Sequence, residues 1–145
     1  MWSAAEPTSL ASGDVHCWVG RLKSTGDLLV IWNQASPDEI RRGYSRARLS
    51  IAISSDEGNT WGRHKNVSVG PGVDPVEAIE APPIRHVRPS MDVGELASGF
   101  AKIDYPRLAF VQDRVVFIYN HPTYPDFWQP LHQRLKIARE QALYE

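Results

Sequence analysis

Ser54-Ser55-Asp56-Glu57-Gly58-Asn59-Thr60-Trp61 is the stretch whose reading decides the fold. It has the make-up of a tight β-hairpin turn. Asp56 and Thr60 are short polar side chains able to bond their own turn's backbone, Gly58 supplies a left-handed conformation, and Trp61 can cover the turn from the next strand. The residues leading into it, Arg48-Leu49-Ser50-Ile51-Ala52-Ile53, alternate branched apolar with small or polar side chains. That two-residue period belongs to a strand with one greasier face.

Working outward, β-rich segments recur between turn signals at residues 15–22, 28–33, 48–54, 66–69, 105–111, 114–120 and 133–139. No long amphipathic helix competes with them, so the chain reads as all-β. The segments also repeat. Arg48-Leu49-Ser50-Ile51-Ala52 returns 86 positions later as Arg134-Leu135-Lys136-Ile137-Ala138. Asp27-Leu28-Leu29-Val30-Ile31-Trp32-Asn33 returns as Asp113-Arg114-Val115-Val116-Phe117-Ile118-Tyr119-Asn120, with one residue inserted. Two copies of one plan of strand, turn, apolar strand and Arg-Leu-x-Ile-Ala strand read as a partial β-propeller of about two four-stranded blades. The first blade spans about 14–69, a connecting rim loop about 70–101, and the second blade about 102–145, the second lacking the octapeptide. Blades bury their faces only against neighbours, so a pair implies further blades, from a parent chain or from self-association. Three copies of two blades would close a six-bladed ring.

Composition narrows the function classes. At 145 residues and 42% hydrophobic the chain suffices for one domain with an ordinary core. A net charge of −1 argues against a nucleic-acid surface, and the short basic clusters Arg41-Arg42 and Arg46/Arg48 read as solvated faces. No apolar run approaches the roughly 20 residues that span a bilayer, and the N-terminus lacks a basic segment followed by an apolar one. The single Cys17, between His16 and Trp18, reads as a small buried hydrophobe rather than half of a disulfide.

The octapeptide satisfies every fixed position of the pattern Ser-x-Asp-x-Gly-x-Thr-Trp, the Asp box, and with the repeat the stretch from about residue 15 to 138 resembles the C-terminal part of a sialidase-like (neuraminidase, BNR-repeat) six-bladed propeller. The resemblance makes Ser54, Asp56, Gly58, Thr60 and Trp61 structural. It implies an exo-acting glycoside hydrolase that binds sialic acid or a related acidic sugar, with no cofactor. Arg46, in Arg46-Ala47-Arg48-Leu49, stands where that family places an arginine that grips the substrate carboxylate through two parallel hydrogen bonds. Tyr105, in Tyr105-Pro106-Arg107-Leu108, stands where the family places its tyrosine nucleophile, which needs a partner base to remove the phenol proton. The chain also departs from the pattern. The place of the partner Glu falls near His16 and Cys17, and that of a second arginine near Asn33. The remaining arginine and the acid/base Asp belong to blades before this chain, so hydrolysis by the chain alone is not expected. The resemblance also allows a secreted or periplasmic full-length relative.

Two further stretches are candidate rims. The loop 70–101 carries Glu77, Glu80, Arg85, His86, Arg88 and Glu95 among prolines that keep it irregular; Arg85 and Arg88 are candidate substrate-binding residues there. His86 has no spaced His or Cys partner, and no metal site is expected. Aromatics over residues 119–128 offer flat rings that stack on sugar faces. The sequence thus leaves two readings, part of a sialidase-like hydrolase or a non-catalytic Asp-box module that binds glycan or protein.

Overall fold

A computed structural model describes residues 4–13, 15–83, 90, 94–123 and 132–145. The chain is all-β: among the described residues seven strands lie in two antiparallel sheets. β1 (Trp18–Arg21), β2 (Leu28–Trp32), β3 (Arg48–Ser54) and β4 (Gly62–Val69) form the first sheet in chain order. β5 (Asp104–Val111), β6 (Arg114–Asn120) and β7 (Gln133–Arg139) form the second, which has three strands among the described residues. A five-residue helix, α1 (Pro37–Arg41), interrupts the connection from β2 to β3.

The sheets pack face to face because each presents an apolar face to the other. Ile31, Leu49 and Ile51 of the first sheet meet Leu108, Val115 and Phe117 of the second, all buried in one cluster. Each such side chain contributes about 1.5–3 kcal/mol on burial. The opposite face of β2 is covered too: Val30 and Trp32 are buried with Ala52, under Leu10 and Trp61. Gly20 sets how closely β1 approaches β5, since a Cβ there would lie 2.6 Å from the Phe110 ring. The last described residues clamp the two sheets. Glu140, buried, accepts from the Lys23 and Ser24 amides, and the Tyr144 hydroxyl donates to Asp27 Oδ2 at 2.6 Å.

The octapeptide is the turn between β3 and β4. Asp56 Oδ1 accepts from Thr60 N at 2.8 Å, Asp56 Oδ2 accepts from Thr60 Oγ1 at 2.6 Å, and Ser54 Oγ accepts from Gly58 N at 2.8 Å. Gly58 has φ +91, the left-handed region where a side chain would be strained. The Thr60 hydroxyl, then the Thr60 amide and Ser54, hold the Asp56 carboxyl below its ordinary pKa.

Two expectations fail. Cys17 is exposed, because β1 is an edge strand that starts only at Trp18, where pairing with Ile31 begins. Arg48 is not a solvated charge: it is 1% exposed, and its guanidinium is enclosed by acceptors. Its Nη2 donates to Glu39 Oε1 at 2.6 Å and Nη1 to Glu39 Oε2 at 3.1 Å. Nε and Nη2 donate to the Asp74 carbonyl, and Nη1 to that of Gln34. Glu39 also closes the capping box of α1, accepting from Ser36 N while Ser36 Oγ accepts from Glu39 N.

Burial pushes the Glu39 carboxyl up, but the bonds from Arg48 and then Ser36 outweigh it and leave its pKa below the ordinary glutamate value. A depressed folded pKa stabilises the protein above the unfolded value, about 4.3, and that contribution is lost as pH falls through the folded one. Urea titrations should therefore show stability declining below about pH 4.5. Glu39→Gln, less stable at neutral pH, should give up less on acidification. Arg48→Ala, which removes a buried guanidinium and leaves the partly buried Glu39 carboxylate without its counter-charge, should cost about 3 kcal/mol.

Candidate functional site

Two of the candidate residues, Arg46 and Tyr105, meet where β2 ends and β5 begins. Arg46 lies in the turn before β3, and its carbonyl accepts from Ile103 N at 2.8 Å. That bond brings the first residue of β5 beside the Arg46 side chain, whose Nη1 donates to Asp104 Oδ2 at 2.6 Å. Asp104 is buried, whereas the Arg46 side chain is about one-third exposed, at 32%. Burial works against the Arg46 charge, but Asp104 and the Tyr105 phenol outweigh it, so Arg46 holds its proton more firmly than usual.

Tyr105 follows directly. Its ring centroid lies 5.8 Å from the Arg46 guanidinium carbon and 5.2 Å from the His16 ring. The first distance is within reach of a cation–π attraction. The residue is 48% exposed and has φ +50, an uncommon conformation for a residue with a side chain. The cause is a bulge: pairing with β6 slips between Asp104 and Arg107, around Pro106, which has no N–H for the ladder. Bulges re-aim side chains, and this one presents the Tyr105 ring outward.

Arg46 and Tyr105, both singled out from the sequence, are thus adjacent although one lies in the turn before β3 of the first sheet and the other in β5 of the second. His16, at the place where the resemblance puts a carboxylate, lies against the tyrosine. Asn33, at the place of a second arginine, is fully buried and ties the sheets together, its Nδ2 donating to the Arg48 and Ile103 carbonyls at 2.9 and 2.7 Å. Asp104 was missed: its tie to Arg46 spans 58 positions and no local pattern announces it. Pro106 inside an apolar strand is the one signal that could have marked the bulge.

Buried polar atoms gather at this end. Asn33 Oδ1, both amide atoms of Gln34, the Tyr119 hydroxyl and His121 Nδ1 have no hydrogen-bond partner among the described residues. Asn33 bonds Ile103, and Asp104 pairs with Asn120, which Tyr119 and His121 flank. Native interiors rarely leave such groups unpaired, so this end suits a polar ligand or water.

Other rim candidates lie apart. Glu77 lines a cavity of about 280 Å³ with Arg63, His64, Lys65 and Tyr144, and Glu80 lines another beside His64 and Pro7. Both cavities are on the β4 side of the first sheet. Arg85, His86 and Arg88 lie outside the described residues, as does most of the aromatic stretch, 124–128.

Comparison with protein-family models, with curated proteins and with solved structures finds no match to this chain.

The strain at Tyr105 can be separated from its contacts by comparing two truncations. Both Tyr105→Ala and Tyr105→Gly remove the ring, but only Gly relieves the left-handed backbone. Urea denaturation should find the glycine variant about 1 kcal/mol more stable than the alanine variant. Equal stability would mean that position 105 does not hold a positive φ in solution.

Proposed function

We propose that this chain is two blades of a sialidase-like β-propeller and that the end bearing Tyr105, Arg46 and His16 faces a sugar. The observation that carries this reading is the pairing of an exposed tyrosine with an arginine 5.8 Å from its ring, contributed by the turn before β3. In a complete ring Tyr105 stands at the nucleophile's place and Arg46 contacts the substrate, while the acid/base carboxylate and further arginines come from other blades. The chain alone binds sugar and does not cleave it, because a histidine and not a carboxylate adjoins the tyrosine.

The repeat supports the presence of further blades. Leu49 and Ile51 are 0% and 2% exposed because the second sheet covers them. Their counterparts Leu135 and Ile137, on the outer face of the second sheet, are 59% and 54% exposed. That face continues through Ile118, paired with Leu135, and Val116, paired with Ile137. A further apolar-faced β-sheet packed there would bury it as the second sheet buries the first. The outer face of the first sheet is already covered by Leu10 and Trp61, so a ring of three head-to-tail copies would first have to displace those residues.

Two measurements test the reading. On a glycan array the chain should retain saccharides, and Arg46→Ala and Tyr105→Ala should abolish retention, with no release of fluorophore from a fluorogenic sialoside by any form. Retention unchanged in both variants would sink the site assignment. By light scattering the isolated chain should associate with rising concentration, and Leu135→Lys with Ile137→Lys should suppress association while changing stability by less than about 1 kcal/mol. A wild-type chain that stays monomeric at every concentration would count against a covered outer face.

A further inference from the structure

Taking this end of the sheets as a sugar site, as proposed above, we infer that the sugar is uncharged: a neutral pyranose whose neighbouring hydroxyls bridge Arg46 and Asp104 while its apolar face lies on the Tyr105 ring. The inference departs from the acidic sugar that the sequence resemblance implies, and the reason is the charge already in place. Asp104 Oδ2 sits 2.6 Å from Arg46 Nη1. A ligand carboxylate drawn to the guanidinium would also meet a buried carboxylate, poorly screened by water, and attraction and repulsion at similar distances largely cancel.

A hydroxyl faces no such conflict, since it donates and accepts. Adjacent hydroxyls of a sugar ring can accept from the guanidinium and donate to Asp104 at once, which a carboxylate cannot do because it has no proton to give. Asn33 Oδ1, fully buried at the same end and without a partner among the described residues, calls for a donor as well. Tyr105, with the His16 ring tilted 38° to it at 5.2 Å, supplies the aromatic surface on which the C–H face of a neutral sugar lies.

The full 145-residue chain is titrated by NMR with methyl glycosides of neutral hexoses and, separately, with N-acetylneuraminic and glucuronic acids. Neutral glycosides should bind about tenfold more tightly than either acid. Asp104→Asn keeps the shape of the side chain and removes its charge, so it should move the ratio about tenfold toward the acids. Tighter binding of the acids by the unmodified chain would overturn the inference and leave the sugar-site reading standing. An unchanged ratio in Asp104→Asn would overturn the role given to Asp104. If neither class perturbs the Tyr105 resonances of the unmodified chain, the sugar-site reading falls and the inference falls with it.

Discussion

A guanidinium cut off from water must find an acceptor inside the protein for every one of its N–H groups, and the arrangement around Arg48 follows from that demand. Glu39, Gln34 and Asp74 meet it, one from α1 and two from connecting segments. Three pieces of chain with little apolar content of their own are thereby fastened to the start of β3, at one end of the first sheet. An ion pair buried this way is weak evidence of net stability, since removing two charges from water costs several kcal/mol. Its effect is positional. With β3 fixed at Arg48, the Arg48 carbonyl holds Asn33, Asn33 holds Ile103, and the Arg46 carbonyl holds the Ile103 amide. The beginning of the second sheet is therefore docked by hydrogen bonds two residues from the candidate site.

The apolar core and this polar hinge divide the work. Burial between Ile51 and Phe117 and their neighbours is large but non-directional, and would tolerate small slides of one sheet over the other. The Asn33 and Ile103 contacts at one end, and the Glu140 and Tyr144 contacts at the other, fix where the slide stops. Gly20 contributes by absence: with no side chain, it lets Phe110 reach the backbone of β1.

Much of the fold was legible because it rests on local pattern. Period-two alternation located β3, and turn signals with the internal repeat located β6 and β7, to the residue, while the octapeptide marks a turn by its own hydrogen bonds. What stayed hidden depends on residues far apart in sequence. Arg48 reads as surface charge until Glu39 and two distant carbonyls surround it, and Asp104 has no visible role until the sheets close. Cys17 reads as buried because it adjoins an apolar run, yet it lies just before an edge strand whose outer side is unpaired, and it is exposed. The helix α1 is too short for a helical period, although Ser36, Pro37 and Glu39 carry the capping signature. In the site, Arg46 and Tyr105 were legible through resemblance and not through geometry. Nothing local in the sequence predicts that their partners are Asp104 and His16.

Strain and charge at that site are linked through β5. The bulge at Pro106 turns Tyr105 outward at the cost of a left-handed backbone, which persists only where the surroundings over-determine it. Arg46 and His16, both packed near the ring, help to determine it. Arg46 can do so only if it is itself fixed, and a long flexible cation is fixed best by a buried carboxylate on the same strand as the ring it supports. Asp104, one residue before Tyr105, meets that condition. The same carboxylate that steadies the arginine also answers its charge, so the bracing of the tyrosine and the charge a ligand meets cannot be set independently.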